Sequence, residues 1–453
     1  MKNIITNLRA QFSKHNIDGY IVPKNDEFFS EYSNKDRLKK ISSFTGSAGY
    51  AVILKKRNYL FVDSRYTIQA KIESGKKFKI LDYKKILRCK VFKNLTIGLD
   101  PSLFTSEQIK RIFFNNKVKL IKKNLIDNVV KSKNIPSKPF YSLNKKIVGE
   151  DYKNKINKIV KYLKKNKLDH IFITAPENVA WVMNIRGFDN PTSPIPNSNL
   201  LISKNSKKYI VAKKIKLKRL IKEKKVKISE IIEPNSIELF LDKINGKNIS
   251  IDKKSCSVNY EQILNRNFDV IKKDDPIYLL KSIKNKTEIT NMIKAHIYDG
   301  VALTKFIYWI KKINKKKITE VDAQNKLESF RKQNKNYLFP SFNTIAGSGK
   351  NAAIVHYRAN NKNNKTIMNK DLFLCDSGGQ YKYGTTDVTR TICFSKQSLK
   401  IKKIFTYVLK GHIAVANTNL NEVNIGKKID INARKYLKKN GLDYGHGTGH
   451  GVG

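Results

Sequence analysis

The sequence predicts an α/β (α+β) protein in which two related α/β domains, at 1–135 and 148–273, precede a third domain of different pattern at 277–453. Three observations lead to this prediction. The 453 residues exceed the size of one hydrophobic core, and 40% of them are apolar. Apolar residues at helical spacing alternate with short β-branched runs through the first two segments. Two proline-containing stretches, 135–140 and 274–276, separate the three segments.

The first predicted domain begins with a helix, because Ile5, Leu8 and Phe12 lie at helical spacing. A strand at Gly19–Pro23 follows and is closed by its proline. Further along the chain, two apolar runs flank Lys55–Arg57 and predict a β-hairpin.

The second predicted domain repeats this order of elements. A helix, a strand starting at His170, a second helix and a strand hairpin follow one another as in the first domain. The segment Leu168-Asp-His-Ile of the second domain is similar to Ile17-Asp-Gly-Tyr of the first and lies at the equivalent position. The sequence therefore predicts an internal duplication.

A long helix is predicted at the start of the third domain. Asn285 and Glu288 are placed to cap its N-terminus. Six residues form a stripe at helical spacing along it, the pattern of an amphipathic helix: Ile289, Ile293, Ile297, Val301, Thr304 and Ile307.

Two aspartates on a predicted β-hairpin carry the first chemical signal. Leu372–Asp376 and Thr385–Phe394 predict antiparallel strands that turn near Gln380–Gly384. Asp376 and Asp387 are equidistant from the centre of that turn, which predicts that they lie directly opposite, with Cβ atoms about 5 Å apart. Half-buried carboxylates at that distance need a shared proton or a cation between them. A divalent metal ion is the simplest such cation, and two solvated turn residues are the plainer alternative.

Histidines in the same C-terminal segment favour the metal interpretation. Two carboxylates with one imidazole, here His450, suit Mn²⁺, Co²⁺ or Zn²⁺. The glycines at 447, 449, 451 and 453 predict a backbone that approaches a buried site closely and adopts positive φ.

Four motifs share this segment: Ile354-Val-His-Tyr-Arg, Asp376-Ser-Gly-Gly-Gln-Tyr, Thr385-Thr-Asp-Val-Thr-Arg-Thr and His446-Gly-Thr-Gly-His-Gly-Val-Gly. Together they resemble the motifs of the pita-bread metallopeptidases, and more closely those of the three-domain Xaa-Pro aminopeptidases (aminopeptidase P). The resemblance extends to Phe44-Thr-Gly-Ser-Ala-Gly, Asp63-Ser-Arg-Tyr and Lys294-Ala-His-Ile-Tyr-Asp, so it covers nearly the whole chain. It implies creatinase-like folds for the first two domains and a pita-bread catalytic fold for the third.

The resemblance also implies two divalent metal ions, Mn²⁺ first and Co²⁺ or Zn²⁺ as alternatives. Asp376 matches a ligand of one ion, His450 a ligand of the other, and Asp387 a ligand that bridges both. His356 and His446 match catalytic histidines, and His356 and His450 also match residues that bind substrate.

Arg65, in Asp63-Ser-Arg-Tyr, matches a substrate-binding arginine of the first domain. Its guanidinium is suited to gripping a peptide carbonyl or carboxylate.

The implied reaction is hydrolysis of the N-terminal Xaa-Pro bond of a peptide by a metal-bound hydroxide. Peptides with proline in the second position are the implied substrates, and a homodimer is the implied assembly. Prolidase is an alternative, although its usual arrangement lacks the duplicated second domain. The other alternative is a non-catalytic pita-bread module that binds protein or nucleic acid.

In the family, two glutamate ligands and a further histidine follow the last motif, whereas this sequence ends at Gly453. The resemblance therefore implies a pita-bread domain that is truncated here, and residues 1–453 alone are expected to be inactive.

The composition bounds the partners and the compartment. The net charge of +54 is of the kind found in nucleic-acid-binding proteins. Lysines are nevertheless spread along every segment, and abundant Lys, Asn, Ile, Tyr and Phe are typical of a genome rich in A and T, so a nucleic-acid partner is not expected. Four cysteines without CxxC spacing predict reduced, buried thiols and the cytoplasm. No apolar run approaches the roughly 18 residues of a membrane span, so no membrane partner is expected.

Overall fold

The structure is a computed structural model that describes residues 2–88, 90–114, 116–130, 137–313, 317–361, 363–423 and 425–452.

Six strands near the N-terminus form one mixed sheet. The strands are β1 (Gly19–Pro23), β2 (Tyr50–Leu54), β3 (Asn58–Val62), β4 (Lys79–Asp82), β5 (Thr96–Leu99) and β6 (Lys117–Leu120). The helices of this segment are α1 (Lys2–Arg9), α2 (Arg37–Ser42), α3 (Thr67–Ser74), α4 (Ser106–Ile112) and α5 (Leu125–Val129). The predicted first helix, first strand and hairpin are all confirmed, with Ile53 opposite Asn58 in the hairpin.

A second six-stranded sheet follows, together with a small sheet of two strands. The strands are β7 (Tyr141–Ser142), β8 (His170–Ile173), β9 (Ile185–Arg186), β10 (Asn199–Ser203), β11 (Lys208–Val211), β12 (Ile231–Ile232), β13 (Asn248–Asp252) and β14 (Asp269–Lys273). The helices are α6 (Lys145–Val148), α7 (Tyr152–Lys165), α8 (Pro176–Met183), α9 (Lys214–Lys222), α10 (Ile237–Leu241), α11 (Val258–Leu264) and α12 (Ile277–Ser282). Alternate residues of β8 pack into two different cores, since Ile171 and Ile173 join one cluster and Phe172 joins the other. Burial on both faces explains why these strands read as continuous apolar runs.

The two large sheets have the same topology. Their strand orders are β4-β3-β2-β1-β5-β6 and β12-β11-β10-β8-β13-β14. The pairs also match in direction: the two pairings between the second, third and fourth strands of each order are antiparallel, and the remaining three are parallel. This confirms the prediction of two related α/β folds. The boundaries at 135/148 and 273/277 stay predictions, and the first part of the predicted linker, residues 135 and 136, lies outside the described residues.

The chain divides into two compact units, Met1–Ile293 and Lys294–Gly453. Both large sheets lie in the N-terminal unit. Helix α13 (Lys286–Lys312) runs from the first unit into the second, which also contains α14 (Glu320–Lys332), α15 (Leu399–Ala416) and α16 (Gly426–Lys438). No helix among the described residues is both long and apolar enough to cross a membrane.

Two three-stranded sheets form the centre of the C-terminal unit. Their strands are β15 (Tyr337–Pro340), β16 (Ile345–Ser348), β17 (Leu372–Ser377), β18 (Gly379–Tyr381), β19 (Gly384–Thr385) and β20 (Val388–Cys393). One sheet has the order β15-β18-β19 and the other β16-β17-β20. Phe373 and Cys375 of β17 pack against Leu303 and Phe306 of α13, and this core holds the strand that carries Asp376.

Helix α13 exists as predicted, but its apolar stripe does not face a core. Asn285 and Glu288 cap each other's backbone amides at its start, as predicted. Ile293, Ile297 and Val301 of the stripe are more than half exposed. The buried face is instead Ala295, Asp299, Ala302, Leu303, Phe306 and Ile310. The first half of this face holds only Ala295, Asp299 and Ala302, and its large apolar residues begin at Leu303, so the pattern of large apolar residues favoured the exposed side instead.

Candidate metal centre

Strands β17 and β20 form an antiparallel ribbon that continues through β18 and β19 in one unbroken register. The turn lies at Lys382–Tyr383, between the paired residues Tyr381 and Gly384. Asp376 is consequently opposite Thr389, and the prediction that it lies directly opposite Asp387 is wrong. The centre of the turn lies one residue later in the chain than the sequence pattern suggested. Shifting the centre of a hairpin by one residue changes the partner of each strand residue by two positions, so Asp376 pairs with Thr389 rather than with Asp387. Asp387 keeps the predicted face of the ribbon, one diagonal step from Asp376.

Glycine is required where the ribbon passes from one sheet to the other. A Cβ on Gly378 would lie 1.9 Å from the backbone oxygen of Thr386 on the facing chain. The backbone amide of the next residue, Gly379, donates a hydrogen bond to Thr386 Oγ1 at 2.9 Å. The ribbon therefore stays narrow between the two aspartates, and the Gly378-Gly379 pair in the sequence reports this crossing.

The two aspartates and His450 influence one another. Asp376 is half-buried, and its Oδ1 accepts a hydrogen bond from Thr389 Oγ1 at 2.8 Å. Burial raises the pKa of Asp376, and the negative charge of Asp387 raises it further, whereas Thr389 and His450 lower it. His450 Nε2 lies 3.3 Å from Asp387 Oδ2. These contacts bring together the three residues that the sequence predicted as metal ligands.

The segment that carries His446 and His450 lies at the surface. The side chain of His450 is 72% exposed, and both histidines contact the carbonyl of the following glycine through Nδ1. The predicted reason for the alternating glycines is wrong at 447, 449 and 451. A Cβ at each would meet nothing within 4 Å, and none has positive φ. Gly453 lies outside the described residues.

Asp376, Asp387 and His450 are chemically suited to bind a divalent cation, although they do not form a complete coordination site. Two carboxylates whose charges repel, with an imidazole beside them, suit Mn²⁺-like ions. Among the described residues, however, no three His, Cys, Asp or Glu side chains converge closely enough to hold an ion.

Three segments of the chain match models of known protein domains. Residues 290–453 match the model of metallopeptidase family M24, and residues 4–124 and 130–288 each match a creatinase/prolidase N-terminal domain. A probable Xaa-Pro aminopeptidase P of Laccaria bicolor is 33% identical over 99% of this chain and 73% of its own length. The chain belongs to metallopeptidase family M24.

Solved structures distinguish two branches of the M24 family. The X-prolyl aminopeptidase of Caenorhabditis elegans, described as a cytosolic enzyme with a di-nuclear active site, is 26% identical with a TM-score of 0.90. That likeness covers 99% of this chain and 79% of the worm chain. The prolidase of Pyrococcus horikoshii is also 26% identical, but it covers 66% of this chain and 82% of its own with a TM-score of 0.53. The aminopeptidase branch accounts for both N-terminal α/β folds, as the sequence predicted.

His356 of this M24 chain lies in an unusual backbone conformation. Its φ is +58°, in the left-handed region that residues with a Cβ rarely adopt. The side chain is partly buried, and the following residue, Tyr357, is 3% exposed. Such a conformation persists where surrounding contacts hold it, and it is frequent at functional sites.

Arg65 lies in the N-terminal unit and forms an ion pair with Asp63. Arg65 Nη2 is 2.7 Å from Asp63 Oδ2, and Nε contacts both carboxylate oxygens of Asp63. The guanidinium also lies 5.3 Å from the centroid of the Tyr66 ring. About a third of the side chain is exposed, so part of the guanidinium can face a ligand. Its substrate contact stays a prediction.

Sequence reasoning missed two buried polar groups beneath the M24 site. Arg331 pairs with Asp299 and donates to Ser377 Oγ, next to Asp376, at 3.0 Å. Glu320 gathers hydrogen bonds from the segment that carries His356. Asp299 was detectable in principle, because it lies at helical spacing from the small residues Ala295 and Ala302. The sequence pattern holds no comparable signal for Glu320.

Proposed function

We propose that this chain is a metal-dependent aminopeptidase that removes the N-terminal residue from peptides with proline in the second position. One observation carries the proposal: Asp376 and Asp387 of the β17–β20 ribbon and His450 of the C-terminal segment lie within electrostatic reach of one another. The aminopeptidase relatives, which match almost the whole chain, supply the substrate class.

Asp376, Asp387 and His450 would contribute ligands to two divalent ions. We propose Mn²⁺, with Co²⁺ or Zn²⁺ as alternatives, because the donors are oxygen and imidazole rather than thiolate. When bound, such ions supply Lewis acidity to the scissile carbonyl and lower the pKa of water toward neutrality. The aspartates contribute the negative charge that offsets the ions, and Thr389 fixes the orientation of Asp376 through its hydroxyl.

His356 and His446 would move protons and donate a hydrogen bond to the peptide, since a histidine changes charge near neutral pH. His446 stacks on Tyr444 with ring centroids 4.6 Å apart, and Arg434 Nη2 donates to its backbone carbonyl. This clamp limits the orientations of the His446 backbone. Arg65 would grip a carbonyl or carboxylate of the peptide.

We also propose a cytoplasmic homodimer. Cys256, Cys375 and Cys393 are free thiols, which fits a reducing compartment. The prediction that the thiols are buried holds for Cys256 and Cys375, whereas Cys393 is exposed. The homodimer rests on family resemblance alone, and light scattering of the purified protein measures it.

A peptidase assay tests the proposed function. Protein made from the complete coding sequence is freed of metal, reloaded with Mn²⁺, and given a matched pair of peptides, Xaa-Pro-Yaa and Xaa-Ala-Yaa. Release of the first residue only from the proline peptide, and only after reloading, is the expected result. Equal cleavage of both peptides would contradict the substrate class, and cleavage of Xaa-Pro dipeptides in preference to longer peptides would favour prolidase.

A further inference from the structure

The turn that carries His356 is held from below by one acidic side chain, Glu320. We define the His356 segment as residues 349–361, between β16 and Asn363. Glu320 is the first residue of α14 and is fully buried. Its carboxylate accepts hydrogen bonds from groups before, within and after this segment.

Four donors converge on the carboxylate. The amide of Ser348 donates to Oε1 at 2.7 Å, and Asn351 Nδ2 lies 3.0 Å and 3.2 Å from the two oxygens. The hydroxyl of Tyr357 donates to Oε2 at 2.8 Å, and the amide of Lys365 donates to the same oxygen at 3.1 Å. Hydrogen bonds to an ionised acceptor are stronger than neutral ones, and burial strengthens them further. Glu320 therefore fixes both ends of the His356 segment and the residue directly after His356.

The hydrogen bonds to Glu320 matter because the backbone of His356 adopts an unfavourable conformation. Among the described residues of the C-terminal unit, His356 is the only residue other than glycine with a φ in the left-handed region. A free chain would leave that region, because Cβ there crowds the backbone. Tyr357 cannot follow such a change without withdrawing its hydroxyl from Glu320, since its ring is buried. The left-handed turn and the Tyr357–Glu320 hydrogen bond thus hold together.

We propose that Glu320 is the positioning residue for His356, fixing the direction of its imidazole through Tyr357 and the two ends of the segment. The proposal rests on the proposed function in so far as His356 acts on the substrate. Glu320 acts through His356 and touches neither metal nor peptide. A side chain held in one orientation reacts without first having to be ordered, and this is the benefit of such an anchor.

Two variants separate positioning from general stability. Glu320→Gln keeps the size of the side chain but replaces one acceptor oxygen by a donor, so the four donors can no longer all be satisfied. Tyr357→Phe removes only the hydroxyl and serves if the first variant fails to fold. The matched control is Glu328→Gln, because Glu328 lies on the same helix and accepts a hydrogen bond from another tyrosine, Tyr337, at 2.6 Å.

The first measurement needs no activity. Histidine labelled at Cε1 gives NMR signals for the seven histidines, and His356→Gln assigns the signal of His356. Glu320→Gln and Tyr357→Phe should shift and narrow that signal and leave the other histidines in place, whereas Glu328→Gln should leave it unchanged. An unmoved His356 signal in a folded Glu320→Gln protein would overturn the proposal, and so would an equal shift of all seven signals.

The second measurement uses the active enzyme. Glu320→Gln should lower kcat by about 10- to 100-fold with unchanged Mn²⁺ affinity, and the loss should vanish when His356 is already alanine. Independent, multiplicative losses in the double variant would show a merely structural role and overturn the proposal. If His356→Ala itself has no effect on turnover, the proposed function of His356 fails, while the NMR result still decides whether Glu320 positions it.

Discussion

The two units of the chain treat acidic side chains at strand ends in different ways. In the N-terminal unit, Asp100 follows β5, is 4% exposed, and accepts a hydrogen bond from Asn124 Nδ2 at 2.9 Å. In the C-terminal unit, Asp376 lies near the end of β17 beside Asp387, a second carboxylate, and the exposed His450. An acid that accepts a hydrogen bond from a neighbouring amide is satisfied within the fold, whereas two acids on one face of a ribbon repel each other and favour a cation between them.

The second α/β repeat lies between these two cases. Asp252 ends β13 as Asp100 follows β5, and Asp275 precedes α12 as Asn124 precedes α5. The amide of the first repeat is thus replaced by a carboxylate. Asp275 accepts from Asn178 Nδ2 at 2.7 Å, while the buried Asp252 Oδ1 has no hydrogen-bond partner among the described residues. Burial, with a contribution from Asp252, raises the pKa of Asp275 to about 6.

The largest effect is expected at the open pair of the C-terminal unit. Asp387→Asn should lower turnover of a proline peptide by about 10³-fold or more, because it removes one of the two carboxylate charges that would hold the ions. The fold should survive, since Asp387 is partly exposed. Turnover with Mn²⁺ and calorimetric titration with Mn²⁺ measure the two consequences. Glu422→Gln, an equal loss of charge at an exposed site, is the control, and full activity of metal-loaded Asp387→Asn would refute the dinuclear site.

The second prediction concerns a closed acid in the same unit. Asp299 is paired with Arg331 through contacts of 2.7 Å and 3.0 Å, and both side chains are almost fully buried. Arg331→Met should lower the free energy of unfolding by about 3–5 kcal/mol, because it leaves a buried charge without its partner. Urea denaturation measures this. The control is the adjacent Lys332→Met, which removes an exposed cation and should lower the free energy of unfolding by less than about 1 kcal/mol. Similar losses in the two variants would contradict the idea that the buried Asp299 depends on its partner cation.

The third prediction restores the pattern of the first repeat in the second. The folded pKa of Asp275 lies above its unfolded value, so this residue stabilises the fold at low pH, and that stability is lost as the pH rises from about 4 through about 6. Asp275→Asn should therefore stabilise the protein at pH 8 by about 2 kcal/mol relative to its effect at pH 4. The new amide can donate to Asn178 Oδ1, which is buried without a partner among the described residues.

Denaturant unfolding at the two pH values measures this difference. Asp274→Asn is the control, because Asp274 is exposed, pairs with Lys253 and Lys254, and has a lowered pKa owing chiefly to its hydrogen bond with Lys254. If the stability of both variants changes with pH in the same way, replacing the amide of the first repeat by the carboxylate of Asp275 does not make the second repeat sensitive to pH.

The smallest effect is expected from the net positive charge, which should not distinguish one unit from the other. Binding to duplex DNA should be weak, with a Kd no tighter than about 10⁻⁶ M at physiological salt, and should weaken steeply as salt increases. Fluorescence anisotropy across a salt series measures it. Sequence-selective binding that survives high salt would instead indicate that the net positive charge serves nucleic-acid binding.

The sequence allowed the strands to be predicted, but not the exact alignment of the residues on them. Strand runs such as Gly19–Pro23 and Leu372–Asp376 are local patterns, and local patterns are visible in one sequence. The pairing of Asp376 with Thr389 depended on a single turn position, which the Gln380–Gly384 stretch left open.

Burial was harder to predict than secondary structure. The exposed stripe of α13 and the 18-residue helix α15, which buries only Gly411 among its described residues, both carry large apolar side chains. By contrast, α7 buries Ile156, Ile159 and Leu163 at the same kind of spacing. The sequence shows that a helix has an apolar face, but the partner that covers the face is set by tertiary contacts. The same limit concealed Glu320, whose donors come from four separate positions.

The unbroken ribbon also bears on how the site assembles in time. Asp376 and Asp387 are brought together by a tight turn at Lys382–Tyr383 and are separated by only ten intervening residues. Hairpins of this kind close in roughly 1–10 μs, long before distant segments of a chain of this length can find each other. The two carboxylates therefore meet early in folding, while their surroundings are still wet and their repulsion is weak. Helix α13 packs on the face of β17 that carries Phe373 and Cys375, whereas Asp376 lies on the opposite face and Asp387 stays partly exposed, so the pair remains accessible to an ion after the core has formed.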